Sequence, residues 1–368
     1  MAFSTTVDQP VITLVGFPYT RDRTTGRGID RYLFDLCNGF EDKGLAISVI
    51  DEGKVRGNPL EFIVSILRVY FRLRRNHNKK AVYHAVDPLG AFVLIVARKK
   101  PIIVTIHDLL PCLTNDVSVR RGITQIIVKY VIQRSDLFIA TFEYTKSLLQ
   151  DCFMVDNRKV KLVNLGFGSS SAEQELIQSG TPNSEVIKLL HIGAFNHGSE
   201  DAVRVFKELT KYGLDAKLFL GGTGSMDKRI SNLIAKWGME DRVELLGFIR
   251  EEDMKNLFSA SDIFIYPSNL GFSYLVLQSM SFGTPVIAYD IWDMREFASD
   301  ALLLCPYRDY SHFAKLIVEL ATNNRFRKEL AERGRKRAAD FSIARMVDGT
   351  LGVYAEAVKN NVGDTTNC

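Results

Sequence analysis

Cysteine is scarce and poorly placed for chemistry. Cys37, Cys112, Cys152, Cys305 and Cys368 are odd in number, scattered, and never fall in Cys-x-x-Cys spacing. That pattern argues against a disulfide framework and a zinc site, and it fits a reducing cytoplasm. Long apolar runs are also missing: stretches such as 91–97 are far too short to span a bilayer. The opening residues, MAFSTTVDQP, lack a basic stretch followed by an apolar core, so no secretory signal is expected. The chain has no Asp-x-Asp pair to hold a metal and no Walker-type glycine loop ending in Gly-Lys-Ser/Thr. No repeat of solenoid period is visible either.

What remains is a chain of ordinary globular composition, 46% apolar against 24% charged. At 368 residues it is long for one core, and two domains are expected. Charge is unevenly placed. Residues 1–168 carry 24 Lys and Arg against 16 Asp and Glu, a net +8, whereas residues 169–368 carry 23 against 27, a net −4. A basic first half suits an anionic surface or acceptor, and an incidental asymmetry explains the numbers equally well.

Short β-branched runs alternate with helical patterns throughout. In the first half, 11–17, 46–51, 81–85, 102–106, 137–141 and 161–165 read as strands, and 29–39, 62–75, 123–134 and 145–152 as helices. Glycine, serine and polar residues then cluster over 166–185 without apolar period, which marks a linker. The second half repeats the alternation. Strands are expected at 188–192, 216–220, 243–246, 263–266, 286–289 and 301–305, and helices at 201–209, 226–237, 252–259, 310–322, 325–340 and 341–360. This spacing means parallel βαβ units with helices on both faces, in two tandem doubly wound, Rossmann-like domains. Ligand is expected in an interdomain cleft, at the strand C-terminal edges. His84 and Asp87-Pro88 read as loop structure.

The most informative stretch is 261–289, SDIFIYPSNLGFSYLVLQSMSFGTPVIAY. A strand meets Pro267-Ser268, then a Gly271-Phe272-Ser273 turn, then a short helix and a second strand. Such a unit aims a helix N-terminus, with its unpaired N–H groups, at an anion. Ser273 is the expected N-cap. The wording resembles the donor-site signature of family 4 glycosyltransferases, retaining enzymes of the GT-B architecture that use nucleotide sugars. The likeness extends over nearly the whole chain. Arg27 and Arg31 flank a glycine turn at Gly26 and Gly28 that is similar to the family's N-terminal glycine loop, where backbone amides approach a phosphate. Val104-Thr105-Ile106-His107-Asp108-Leu109 resembles Val-Thr-x-His-Asp-Leu at a strand end, which implies that His107, with Asp108, lies by the donor sugar and acceptor. Glu143 to Lys146 resembles the Ser-Glu-x-x-Lys turn, although helix capping accounts for Thr145 as well. Gly193 ends the first strand of the second domain, Gly222 lies in the Gly-x-Gly turn, and Gly247-Phe248 follows the strand whose backbone reads the base. The resemblance implies donor binding at Gly28, Gly193, Gly222, Phe248, Gly271, Phe272, Ser273 and Gln278.

Departures from the family pattern concentrate at the donor anion. The pattern places two glutamates where this chain has Leu270 and Gln278. It also places an arginine and a lysine where Ala194 and Ser199 stand. Charge-assisted hydrogen bonds are worth about 1.5–3 kcal/mol each. Losing two would weaken diphosphate binding roughly a hundred-fold unless Arg27, Arg31 or His197 substitutes. Gln278 can still accept through its carbonyl oxygen, whereas Leu270 cannot bond through its side chain.

Two functions follow from the resemblance. One is a retaining, metal-independent glycosyltransferase that moves a sugar from a nucleotide-diphosphate sugar, its co-substrate, to a glycan or lipid-linked acceptor hydroxyl, with no cofactor. The other is a non-catalytic GT-B protein that keeps the fold as a binding or partner subunit. The domains are expected at 1–168 for the acceptor and 186–344 for the nucleotide sugar, joined by a 169–185 linker. A final helix at 345–360 is expected to return to the first domain. Glu61 to Lys80 pairs an apolar face of Phe62, Ile66, Val69 and Leu73 with Arg68, Arg72, Arg74, Arg75, Lys79 and Lys80. That face suits the domain's own sheet, and the basic rim suits an anionic membrane surface. The expected location is the cytoplasm, with peripheral contact on the cytoplasmic face of a membrane. No nucleic-acid partner is expected.

Overall fold

The computed structural model describes residues 11–19, 21, 28–51, 59–75, 81–109, 119–168, 186–193, 198–222, 227–269, 273–291 and 294–365. The expected 169–185 linker therefore lies outside the described residues. The chain divides into two compact units: one ends at Gly166 and takes the chain up again at Ile343, and the other is Phe167–Ser342.

The first unit alternates strictly: β1 (Ile12–Val15), α1 (Gly28–Asp42), β2 (Ile47–Ile50), α2 (Pro59–Arg75), β3 (Val82–Ala85), α3 (Pro88–Val96), β4 (Ile102–Ile106), α4 (Val119–Arg134), β5 (Leu137–Ala140), α5 (Glu143–Asp151) and β6 (Val160–Leu162). The six strands form one parallel sheet in the order β2-β1-β3-β4-β5-β6. Strands β1, β3, β4 and β5 are buried along their whole length. This is why they read as continuous apolar runs rather than alternating ones. Helix α2 buries Val69 and Leu73 against the sheet, with Phe62 and Ile66 partly buried beside them. Each fully buried side chain contributes about 1.5–3 kcal/mol.

The second unit runs β7 (Ile187–Ile192), α6 (Ser199–Leu209), β8 (Ala216–Gly221), α7 (Lys228–Lys236), β9 (Val243–Gly247), α8 (Glu251–Ser259), β10 (Ile263–Tyr266), α9 (Tyr274–Ser281), β11 (Val286–Tyr289), α10 (Met294–Ala298), β12 (Leu303–Cys305), α11 (Tyr310–Thr322) and α12 (Asn324–Ala339). Its sheet, again parallel, is ordered β12-β11-β10-β7-β8-β9. The last helix, α13 (Ile343–Thr365), packs on α1 in the first unit. Gly39 permits that approach, because a Cβ there would stand 2.4 Å from Val347 Cγ2.

The loop reading of His84 and Asp87 is corrected. His84 is a fully buried member of β3. Asp87 is the N-cap of α3, its carboxylate accepting from Gly90 N at 2.9 Å, with Pro88 opening the helix. Helix α3 has no counterpart in the sequence reading. Its sequence, PLGAFVLIV, contains no polar residue to mark an outer face, so no 3.6-residue period emerges.

Candidate functional site

Doubly wound sheets expose a ligand position where strand order reverses, at the C-terminal strand ends. In the first unit the order reverses between β1 and β3, and in the second between β7 and β10. Those of the expected site residues that are described fall at or beside strand C-terminal ends or helix starts, in two separate groups.

In the first unit the group is built from side chains. His107 follows the last residue of β4, half-buried, and its Nε2 lies 3.1 Å from the carbonyl of Val86, the residue after the neighbouring strand β3. An N–H at Nε2 donates there, which leaves Nδ1 as the basic nitrogen. The Tyr32 ring meets the imidazole edge-on at 4.8 Å between centroids. Burial pushes the His107 pKa down to about 4, against a weaker opposing effect of the Val86 carbonyl. The ring is therefore neutral at physiological pH and exchanges hydrogen bonds with a hydroxyl rather than acting as a cation. Asp108 is exposed and Leu109 is fully buried, so the chain is anchored immediately after the histidine.

Beneath His107 lies a buried polar chain. Thr105 Oγ1 stands 2.7 Å from His84 Nε2 and 3.1 Å from the Tyr32 hydroxyl, and His84 Nδ1 is 2.7 Å from the Tyr354 hydroxyl on α13. Burial drives the His84 pKa to about 3, with His107 adding to the effect, and raises the Tyr32 phenol to about 12. Every member is thus uncharged and hydrogen-bonded, the condition under which a buried polar network rigidifies a core. The sequence reading missed Tyr32, His84 and Tyr354 as a group. Two of them stand beside motif residues, Tyr32 after Arg31 and His84 on the strand next to His107, but only the fold joins them to residue 354.

Gly28 opens α1 and is exposed. Arg31, three residues on, is buried, and its Nε lies 3.5 Å from Asp35 Oδ2, so its charge is matched within the helix. This placement sets Arg31 apart from an exposed phosphate clamp. Arg27 and His197, the other two candidate cations, lie outside the described residues, as do Ala194, Leu270, Gly271 and Phe272.

In the second unit the group is built from backbone. Gly193, Gly221-Gly222 and Gly247 end or follow β7, β8 and β9, and they are stitched together: Gly193 N donates to Gly221 O at 3.0 Å, and Gly222 N to Gly247 O at 2.6 Å. Gly222 has φ +88°, and a Cβ there would lie 2.8 Å from the Gly193 carbonyl oxygen. Only glycine allows two strand ends to approach so closely. Gly198 precedes α6 with φ +103°, and a Cβ would stand 2.7 Å from the Pro267 carbonyl oxygen. Ser199 is fully buried, its hydroxyl 3.4 Å from the Gly193 carbonyl. His191 Nδ1 donates to the Ile265 carbonyl at 3.0 Å across the β7–β10 seam. That residue was not among the sequence candidates. Phe248 follows β9 and is 65% exposed, an aromatic residue at the strand end.

Ser273 is the N-cap of α9, accepting from Leu275 N at 3.2 Å with extended backbone. Gln278 is buried one turn later, and its Nε2 donates to Glu251 Oε1 at 3.0 Å. A carboxylate thus stands beside position 278 although residue 278 is an amide. Among the described residues, no group of three or more His, Cys, Asp or Glu side chains is placed to hold a metal ion.

Two parallel doubly wound domains, each with glycine-rich or helix-opening strand ends, are the two halves of a GT-B protein. Residues 26–167 match the family model described as Glycosyltransferase Family 4, and residues 172–337 match that described as Glycosyl transferases group 1. An alpha-D-kanosaminyltransferase of Streptomyces kanamyceticus is 25% identical over 175 residues, 46% of this chain and 45% of that protein. The aligned part therefore spans less than half of that relative. The solved sucrose-phosphate synthase of Thermosynechococcus elongatus superposes with a TM-score of 0.77 at 18% identity, covering 95% of this chain and 99% of that one. The HepE protein of Anabaena in complex with UDP and glucose superposes with a TM-score of 0.69 at 15% identity, covering 94% and 99%. The chain belongs to the family 4 glycosyltransferases of GT-B fold.

Proposed function

We propose that this protein transfers a sugar from a nucleotide-diphosphate sugar to an acceptor hydroxyl of a glycan or lipid-linked glycan, with retention of configuration and without a metal ion. The observation that carries the reading is the backbone construction at the β7–β10 switch point. Gly193 and Gly222 supply approach space and the N-capped start of α9 supplies N–H groups, neither of which depends on the substituted side chains. The complex of a related fold with UDP and glucose supports a nucleotide sugar as ligand.

In this reading charge grows on the departing diphosphate as the transition state takes oxocarbenium character. Fixed N–H dipoles at the start of α9, beside Ser273, stabilise that charge. Glu251, bonded to Gln278, supplies the carboxylate for the nucleoside hydroxyls that an amide alone would accept weakly. Neutral His107, held by Val86 and Tyr32, contacts the transferred sugar and acceptor hydroxyl as a hydrogen-bonding group. The reaction releases the nucleoside diphosphate and forms one glycosidic bond.

A second reading, a non-catalytic binding subunit, draws on Leu270, Gln278, Ala194 and Ser199, none of which carries the charge that the family pattern places there. A ligand-observed binding screen against UDP-, GDP- and ADP-sugars, followed by turnover with whichever binds, separates the two. The transferase reading expects one nucleotide to bind at sub-millimolar concentration. Silence from a folded protein supports the subunit.

A further inference from the structure

Three helices of the first unit lie side by side on one face of its sheet: α3 packs against both α2 and α4. Helix α1 runs from β1 to the outer strand β2, the reverse direction across the sheet. Right-handed crossover therefore places it on the other face, with α13. The two faces differ in charge. Helices α2 to α5, which the same rule places on one face, contain nine Lys and Arg and three Asp and Glu, whereas α1 and α13 contain three Lys and Arg and seven Asp and Glu.

The basic face is also apolar on its outside. Helix α2 buries Val69 and Leu73, yet Leu60 is 71% exposed, Ile63 53%, Leu67 48% and Phe71 57%, with Val64 between them. Positions 60, 63, 64, 67 and 71 follow helical spacing and make a second apolar stripe, turned away from the sheet. On α4, Ile126 is 70% exposed and Ile123 55%, and Val96 at the end of α3 is half-exposed. Arg68, Arg72, Arg74 and Arg75 are exposed on the same helix as the stripe. An outer apolar stripe beside a run of cations is what a helix lying in the headgroup layer presents. A second copy of the chain is a poor occupant, since it would set one basic face against another, with the α2 arginines facing their own copies. Among the described residues no helix is long and apolar enough to cross a membrane, so the arrangement is interfacial.

We infer that the α2–α3–α4 face seats on an anionic lipid surface, with Leu60, Ile63, Leu67, Phe71 and Ile126 entering the headgroup boundary and the α2 arginines meeting lipid phosphates. The sequence pattern suggested only the charged rim; the outer stripe adds insertion, which salt alone does not reverse. The inference stands apart from the transferase reading, because it is read from vesicle binding and not from turnover.

The test is co-sedimentation of the full chain with vesicles of three parts phosphatidylcholine to one part phosphatidylglycerol, against pure phosphatidylcholine. The wild type should sediment with the mixed vesicles and at least ten-fold less with the neutral ones. Replacing Arg72, Arg74 and Arg75 by Gln should weaken binding roughly a hundred-fold. Replacing Leu67 and Phe71 by Ser, which leaves every charge in place, should weaken it about ten-fold or more. A readout on the wild type alone guards against misfolded variants: amide exchange along α2 should slow when mixed vesicles are added. Equal binding to both vesicle types, wild-type binding by both variants, or unchanged exchange on α2 would overturn the inference. So would a wild-type dimer in sedimentation velocity that the Ser variant dissociates, since the stripe would then belong to a second copy.

Discussion

The two units share a parallel six-stranded plan but place different materials at their strand ends. In the first, side chains carry the site: a neutral histidine held by a carbonyl and an aromatic edge, above the chain Tyr32–Thr105–His84–Tyr354. In the second, glycines bonded through backbone groups and an N-capped helix carry it. Backbone donors survive substitution of neighbouring side chains, and side-chain networks do not. This explains how the second unit can depart from the family pattern at Ala194, Ser199, Leu270 and Gln278 while its frame persists. It also locates the sensitivity of the protein in the first unit.

The sharpest break should come at His107. His107→Ala is expected to lower transfer about 10²–10³-fold while changing nucleotide affinity less than about two-fold, because the proposed function assigns the nucleotide to the other unit. Single-turnover kinetics beside calorimetric titration would show it; equal losses in both would erase the division of labour.

Acid should strike the first unit through the same histidines. Their folded pKa values, about 3 for His84 and about 4 for His107, lie below the ordinary 6.5, so their stabilisation is complete above pH 6.5 and is lost as pH falls. Asp87 opposes them, because burial raises its carboxyl to about 7 and folding takes up a proton there. Two groups that release a proton outweigh one that binds it. Stability of the first unit should drop by a few kcal/mol as pH falls from 6.5 to 4. Urea denaturation across that range checks the slope, and Asp87→Asn should steepen it.

Glycine substitution tests the second unit. Gly222→Ala combines a left-handed φ with a Cβ 2.8 Å from a carbonyl oxygen, and should destabilise that unit by about 1–3 kcal/mol and weaken nucleotide binding with it. Gly352→Ala on α13, where a Cβ meets nothing within 4 Å, should instead stabilise by about 0.5–1 kcal/mol. Denaturation midpoints of the two variants compare them directly.

The smallest effect concerns the one side-chain pair in the second group. Gln278→Glu alone sets a second carboxylate within hydrogen-bond distance of Glu251 and should cost about 1–2 kcal/mol of nucleotide affinity. Glu251→Gln added to it exchanges the two groups and should restore most of that loss. A double-mutant cycle without coupling would separate Glu251 from the nucleotide.

What could be read from the sequence follows from how each signal arises. Strands β4, β10 and β11 and helix α11 fall at the expected residues, because each is a dense apolar run or a regular amphipathic pattern bounded by turn residues. Helix α3 was invisible, since it is apolar all round, although Asp87-Pro88 was a start signal in plain view. The inner face of α2 was legible, but its outer stripe was not, because a helix with apolar residues on two faces blurs its own period. His107 could be named from its motif, whereas Tyr354 lies 270 residues from its partner His84, and no local pattern carries a contact of that span. Arg31 looked like a free cation until the fold buried it beside Asp35. The Glu251–Gln278 pair was hidden for a similar reason: 27 residues apart, it exists only where α8 and α9 meet.

The account rests most on a donor site that works without the family's charged side chains, and nucleotide affinity measures that directly. Titrating the wild type and His107→Ala with UDP-, GDP- and ADP-sugars by calorimetry should find one nucleotide binding below millimolar concentration, equally in both proteins, with turnover in the wild type alone. A folded, stable wild type that binds none of them would contradict it.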